Sequence, residues 1–153
     1  MASRPAHDLL GIASGAAGAA LGAGDQPGAH LALEVAGGAL AGWFGSRLPD
    51  IIDPPTTPDH RSVAHGALSA GVVGWSIGDV MTNAQQYLRD RADDLVRARE
   101  TIETDLQRAI NLILECICRL LAGAVAGLPI GYASHLALDL MTPRGLPLLV
   151  KGF

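Results

Sequence analysis

Residues 109–141 read AINLILECICRLLAGAVAGLPIGYASHLALDLM, and this stretch decides the fold class. It exceeds the ~20 apolar residues that a helix needs to cross a bilayer, and it lacks the sustained alternation that is typical of a strand. Three further stretches share its apolar character, at residues 9–24, 29–48 and 62–81. The pattern predicts an all-α protein, a compact bundle of about five helices in a single domain over residues 1–153.

The composition leaves two settings open for this bundle. The chain is 49% hydrophobic but only 4% aromatic, and it contains 19 glycines, the small residues that allow close helix packing in lipid. The apolar stretches also carry ionisable residues such as Glu34 and Arg119, and each costs roughly 2.5–3.5 kcal/mol at a bilayer centre. One alternative is a soluble bundle with an Ala/Gly-rich core. The other is a membrane-embedded bundle with its ionisable groups facing a polar cavity, which the positive mean hydropathy slightly favours.

The charged residues are concentrated in one segment. The net charge is −4 and the basic residues form no long run, so we expect no nucleic-acid partner. Within residues 83–108, Leu88, Leu95 and Ile102 recur every seven residues while charged residues occupy the other faces. This pattern predicts a long amphipathic helix. We expect it to form an arm that projects into water, packs antiparallel, or makes a homo-oligomer contact.

Prolines and glycines predict where the other helices end. The cluster GDQPG at residues 24–28 predicts a turn between the first two helices. The prolines within residues 50–58 predict a loop, after which Asp59 can cap a helix that continues through residues 62–81. A kink at Pro129 would separate a last helix from the preceding one.

His135 and Asp139 are the first candidate metal ligands. They stand four residues apart on a predicted helix, so both side chains leave the same face. An imidazole and a carboxylate at this spacing can bind one divalent cation, although the same spacing suits an ordinary helix-surface pair.

A second cluster of candidate site residues lies on the proline-bounded loop and just after it. Asp50 and Asp53 lie on the loop, and His60, Arg61 and His65 come after it. A cation held by such groups activates water, a carboxylate that is not a ligand can accept its proton, and an arginine can hold a phosphate oxygen. The alternative reading makes the aspartates turn and cap residues, His65 a core histidine and Arg61 a salt-bridge partner. His7, just before the first apolar stretch, is a further candidate ligand.

Three blocks of the sequence carry a resemblance to a known family. They are LPDIID at residues 48–53, HRSVAHG at 60–66 and GYASHLALDLMTPRGLPLL at 131–149. Nearly end to end, the chain resembles the YdjM-type membrane-bound metal-dependent hydrolases, also described as LexA-binding inner-membrane hydrolases. The last block is the most specific, because His-x-x-x-Asp and Thr-Pro-x-Gly-x-Pro-Leu occur together. His7 matches a histidine that members commonly carry near the N-terminus.

The resemblance implies an integral protein of the bacterial inner membrane with an all-helical fold. It extends more remotely to zinc-dependent phospholipase C and P1 nuclease, which implies zinc and hydrolysis of a phosphoester, here of a lipid or lipid-linked substrate. A non-catalytic membrane or assembly protein that oligomerises through residues 83–108 is the alternative. Carried over by position, the candidate metal ligands are Asp50, Asp53, His60, His65, His135 and Asp139, with His7 as a further one. From the chemistry above, the candidate catalytic residues are Asp53, where it is not a ligand, and Arg61. Which of Asp50 and Asp53 is the ligand stays open.

Overall fold

The computed structural model describes residues 3–54 and 67–141, and all regular structure in these two ranges is helical. The helices are α1 (Arg4–Ala23), α2 (Gly28–Gly45), α3 (Leu48–Ile52), α4 (Ala67–Thr101) and α5 (Asp105–Leu140). Four of them are long and α3 is little more than one turn. The all-α prediction is confirmed.

The turn between α1 and α2 lies where the sequence predicts it. Gly24 ends α1 with φ 59° and ψ −142°, and a φ in this region favours glycine because it has no Cβ. Pro27 precedes α2 with φ −52°, and its carbonyl accepts the first backbone hydrogen bond from Leu31 at 3.0 Å. The reversal places α1 and α2 side by side in opposite directions.

The prediction of one helix over residues 83–108 is wrong near its C-terminal end. The chain leaves α4 and adopts an extended conformation at Thr104, with φ −90° and ψ 132°, before α5 begins at Asp105. Thr104 and Asp105 together mark a helix start, because an acidic residue in the first turn interacts favourably with the positive end of the helix dipole. The seven-residue spacing conceals this start. Arg108 Nε donates a hydrogen bond of 2.8 Å to the Ile102 carbonyl and closes the turn.

The separate last helix predicted after Pro129 does not form, because α5 continues through this proline to Leu140. A proline inside a helix removes one backbone hydrogen bond, so the helix needs support on both sides. Gly127 and Gly131 provide it. Their Cα atoms lie so close to the backbone of α2 that an added Cβ would collide with the carbonyl oxygens of Gly38 and Gly42.

The region after α2 also differs from the prediction. Residues 50–58 were expected to be a loop, but Asp50 lies inside α3. The helix can form because Pro49 stands in its first turn, where the missing backbone N–H is not needed. Residues 55–66, including the predicted cap at Asp59, are outside the described ranges.

Small residues set the distances between α1, α2 and α5. Gly11 and Gly15 of α1 face Gly42 and Gly38 of α2, respectively, with the two helices antiparallel. A Cβ at Gly15 would collide with the Gly38 carbonyl, so these backbones are in direct contact. Gly38 and Gly42 also face α5, which runs in the same direction as α2. This packing brings the N-terminal turn of α1 to the C-terminal turns of α5.

The charged half of α4 packs antiparallel against α5 within the chain, which is one of the three arrangements expected for it. Gln85 Nε2 donates to the Ala122 carbonyl at 3.1 Å, and Asp93 pairs with Arg119 at 2.5 Å. Arg119 also reaches Gln26 in the α1–α2 turn. Because α5 starts fourteen residues before Arg119, α4 and α5 extend roughly 20 Å past the α1–α2 turn. This two-helix projection, residues 94–114, is called the hairpin arm below.

The distribution of polar and apolar side chains is inverted relative to a water-soluble bundle. Glu34 and Arg119 are fully buried, whereas Leu21 is 86% exposed and Leu40 is 68% exposed. Among the described residues, α5 is the one helix that is long and apolar enough to cross a membrane. Buried charges with an apolar exterior are the arrangement expected for a bundle surrounded by lipid.

Candidate metal centre

His7, His135 and Asp139 converge in the interior of the bundle. One possible ligand atom from each lies within 4.8 Å of the other two. His7 Nε2 is 3.8 Å from Asp139 Oδ1, and His135 Nε2 is 3.6 Å from Asp139 Oδ2. All three residues are buried. The sequence predicted each of them as a metal ligand, and the structure brings all three together.

Local helix geometry and tertiary packing each contribute to this convergence. The four-residue spacing of His135 and Asp139 places them on one face of α5, as predicted. His7 comes from the first turns of α1, which the glycine contacts hold beside the end of α5. The rings of His7 and His135 stack with centroids 4.0 Å apart and an angle of 23° between their planes. This contact fixes the orientation of both imidazoles.

Asp50 adds a fourth group at the edge of the cluster. Its Oδ1 lies 3.7 Å from His135 Nε2, and its side chain is 28% exposed, so it lies between the buried cluster and the exterior. Asp53 ends α3, where its backbone N–H donates to the Pro49 carbonyl at 2.9 Å. Asp50, inside α3, therefore brings its carboxylate to the edge of the histidine cluster.

The remaining predicted site residues are His60, Arg61 and His65. All three lie in residues 55–66, outside the part of the chain that the structure describes.

A backbone carbonyl orients the central histidine. His135 Nδ1 is 2.6 Å from the carbonyl oxygen of Ser46 at the C-terminal end of α2. A carbonyl only accepts hydrogen bonds, so Nδ1 carries a proton, and in the neutral imidazole the lone pair is then on Nε2, which faces Asp50 and Asp139. Histidines that bind metals are usually held in this way by a second hydrogen bond. Sequence reasoning missed Ser46, because a backbone carbonyl has no sequence signal.

The spacing of the ligand atoms fits a cation. Two ligands bound at ~2.0–2.2 Å to a tetrahedral ion stand roughly 3.4 Å apart, which is close to the 3.6–3.8 Å found here. These separations are longer than direct hydrogen bonds between the same groups would be. Two imidazole nitrogens and one or two carboxylates form a donor set that suits zinc or a similar divalent metal. A cation would also compensate the buried charge of Asp139.

A salt bridge beside the cluster fixes its outer edge. Arg47 Nε and Nη2 donate to Asp8 Oδ1 and Oδ2 at 2.8 and 2.6 Å, and the guanidinium lies 4.0 Å from the centroid of the Trp43 ring. These hydrogen bonds lower the pKa of Asp8 and raise the pKa of Arg47. Because Asp8 follows His7, the pair ties the start of α1 to the corner between α2 and α3. The sequence analysis did not identify this pair.

A second polar cluster lies near the α1–α2 turn, away from the candidate metal centre. Glu34 accepts hydrogen bonds from Arg89 at 2.6–3.1 Å, and Glu115 pairs with both His30 and Arg99. These contacts join α2, α4 and α5 through two buried carboxylates, Glu34 and Glu115, and basic partners that are up to about a quarter exposed. Sequence reasoning identified the individual ionisable residues but not their partners.

Comparisons with known proteins agree with the sequence resemblance. Residues 1–150 match the family model described as YdjM inner membrane protein. No curated protein and no solved structure matches the chain. The more remote similarity to zinc-dependent phospholipase C and P1 nuclease therefore stays an expectation.

Proposed function

The chain belongs to the YdjM inner membrane protein family, and from this premise we propose that it is a membrane-bound metal-dependent hydrolase. The substrate we propose is a phosphoester of a lipid or lipid-linked molecule. The observation that carries the proposal is the convergence of His7, His135 and Asp139, with Asp50 at the edge of the same cluster.

A bound divalent metal, which we expect to be zinc, would lower the pKa of a coordinated water and polarise a phosphoryl oxygen. The protein's part is to hold the ligands. The Ser46 carbonyl keeps the proton on His135 Nδ1 and leaves Nε2 available, while the fully buried Asp139 supplies negative charge. Asp50 is partly exposed, which suits a group that meets both metal and substrate.

Two roles in this proposal come from the sequence rather than from measured contacts. Asp53 is the candidate general base, since a carboxylate that is not a ligand can accept a proton from water. Arg61 is the candidate for holding a phosphate oxygen, because its guanidinium can donate two parallel hydrogen bonds. The role of Asp53 is tested below with Asp53→Asn.

The first test is metal content. Full-length protein purified in detergent without chelator should carry a stoichiometric divalent metal, measured by inductively coupled plasma mass spectrometry. His135→Ala and Asp139→Asn should lose it. His30→Ala is the matched control, because His30 is a partly buried histidine paired with Glu115, away from the cluster. Wild-type protein without metal, or equal retention in all four proteins, would refute the metal centre.

The second test is turnover. Metal-loaded protein in lipid nanodiscs should release phosphate or a phosphorylated headgroup from a phospholipid, and Asp53→Asn should lower kcat while the metal content stays constant. Metal binding without hydrolysis of any phosphoester would contradict the hydrolase proposal and leave the metal centre intact.

A second candidate function is assembly, and the hairpin arm supports it. Leu106 is 74% exposed, Ile113 is 59% exposed and Ile110 is 45% exposed, all on the part of α5 that extends past the α1–α2 turn. Leu95 and Ile102, by contrast, are half-buried. A homo-oligomer through the arm would therefore use the α5 side of it.

The assembly candidate is tested by changing the exposed side of the arm. Ile113→Glu should convert an oligomer to monomers in light-scattering measurements, whereas Val96→Glu, at a half-buried position on α4, should destabilise the fold. An Ile113→Glu protein with an unchanged mass in solution would exclude this contact. If His135→Ala is then silent in every assay, the assembly role is favoured over the hydrolase.

A further inference from the structure

An apolar groove runs between α4 and α5 and ends beside the candidate metal centre. Its volume is about 360 Å³, within the ~300–1,000 Å³ that is common for small-molecule sites. Among the residues that the structure describes, no charged side chain lines it. The lining residues used below are Leu48, Val80, Met81, Val125, Leu128 and Tyr132.

The groove lies about one turn of α5 from the cluster. Tyr132 of the groove precedes His135 by three residues on α5, and Leu48 of the groove begins α3, the helix that contains Asp50. From Val125 to Tyr132 the groove follows α5 for roughly 10 Å. One end of the groove is therefore next to the proposed ligands, and the other lies farther along the bundle.

The groove is open on its side. Val80 is 51% exposed and Leu128 is 38% exposed, whereas Met81 and Tyr132 are buried and form its inner wall. In a family of inner membrane proteins, an opening on this apolar flank faces hydrocarbon. A water-soluble phosphoester such as a nucleotide would need polar partners along this wall, and the groove offers almost none.

We propose that this groove binds one acyl chain of a bilayer phospholipid and places the phosphoester of that lipid at the His7/His135/Asp139 cluster. The inference rests on the proposed function and adds the means by which substrate is selected. The acyl chain enters laterally past Val80 and Leu128, so the lipid does not have to leave the bilayer. Apolar burial along the groove supplies affinity, and the position of the cluster at its end determines which bond is presented.

The groove is tested without relying on activity. Full-length protein in nanodiscs receives a trace of phosphatidylglycerol that carries a diazirine near the end of one acyl chain. After illumination, mass spectrometry should map the adducts to the α5 peptide around Val125 and Leu128. Leu128→Trp fills the groove and should lower this labelling about tenfold, the effect expected from excluding about two methylene groups.

Leu121→Trp is the matched control, because Leu121 is 48% exposed on the same helix and does not line the groove. Equal labelling around Leu121 and Leu128, or no response to Leu128→Trp, would show annular lipid only and overturn the inference. Displacement by a polyprenyl phosphate but not by unlabelled phospholipid would overturn the choice of an acyl chain.

Kinetics then separate this inference from the proposed function. Leu128→Trp should raise KM for a long-chain phospholipid about tenfold relative to KM for a short-chain phosphoester, whereas Leu121→Trp should change neither KM. Hydrolysis of both esters with no change in KM would overturn the groove and retain the hydrolase. Groove labelling in a protein that hydrolyses neither ester would overturn the hydrolase.

Discussion

Removing Arg89 tests how the buried charges hold the bundle together. The Glu34 carboxylate is fully buried, and Arg89 makes three contacts of 2.6–3.1 Å with its two oxygens. At ~3 Å and an effective dielectric constant of ~20, the attraction is roughly 5–6 kcal/mol, which offsets a desolvation cost of several kcal/mol per ion. Arg89→Met leaves the carboxylate unpaired. We therefore expect it to lower the free energy of unfolding by about 3–5 kcal/mol.

The measurement is unfolding of the full-length protein in mixed micelles with increasing dodecyl sulfate, followed by circular dichroism. Arg97→Met is the control, because the Arg97–Asp94 pair is exposed and should contribute only about 0–1 kcal/mol. Glu34→Gln combined with Arg89→Met should cost less than the sum of the two single changes, since no buried charge is left without a partner. Equal effects of Arg89→Met and Arg97→Met, or strict additivity in the double variant, would refute this reasoning.

Three further outcomes follow from the same structure. Asp8→Asn should destabilise the protein at neutral pH. Because Arg47 lowers the pKa of Asp8, the difference in stability from wild type should disappear as the pH falls below the ordinary value of 3.8. A difference that persists in thermal melts at acid pH would contradict this. Gly127→Val should raise sensitivity to dodecyl sulfate, since its side chain would collide with the Gly38 carbonyl, and an unchanged unfolding midpoint would argue against direct backbone contact. His7→Ala should weaken zinc binding at least about tenfold in a chelator competition, and unchanged affinity would remove His7 from the ligand set.

Tertiary packing decided most of what sequence reasoning predicted incorrectly. The seven-residue spacing through Ile102 concealed the helix start at Asp105, because both sides of the turn carry the same mixture of charged and apolar residues. The last helix expected to be separate after Pro129 is part of α5, and the glycines on both sides of this proline pack directly against α2. Asp50 lies in a short helix because Pro49 occupies its first turn, a placement that the density of prolines alone did not reveal.

The sequence by itself determined the helical class, the turn at Gly24 and the shared face of His135 and Asp139. These features depend on spacing and conformational preferences within one or a few turns of chain. Only the tertiary structure decided that His7 completes the cluster and that Arg89 is the partner of Glu34. These residues are far apart in sequence. They meet because glycine contacts determine which helices are adjacent and how they are aligned along their axes. Local sequence patterns do not specify that arrangement, because it depends on how whole helices pack.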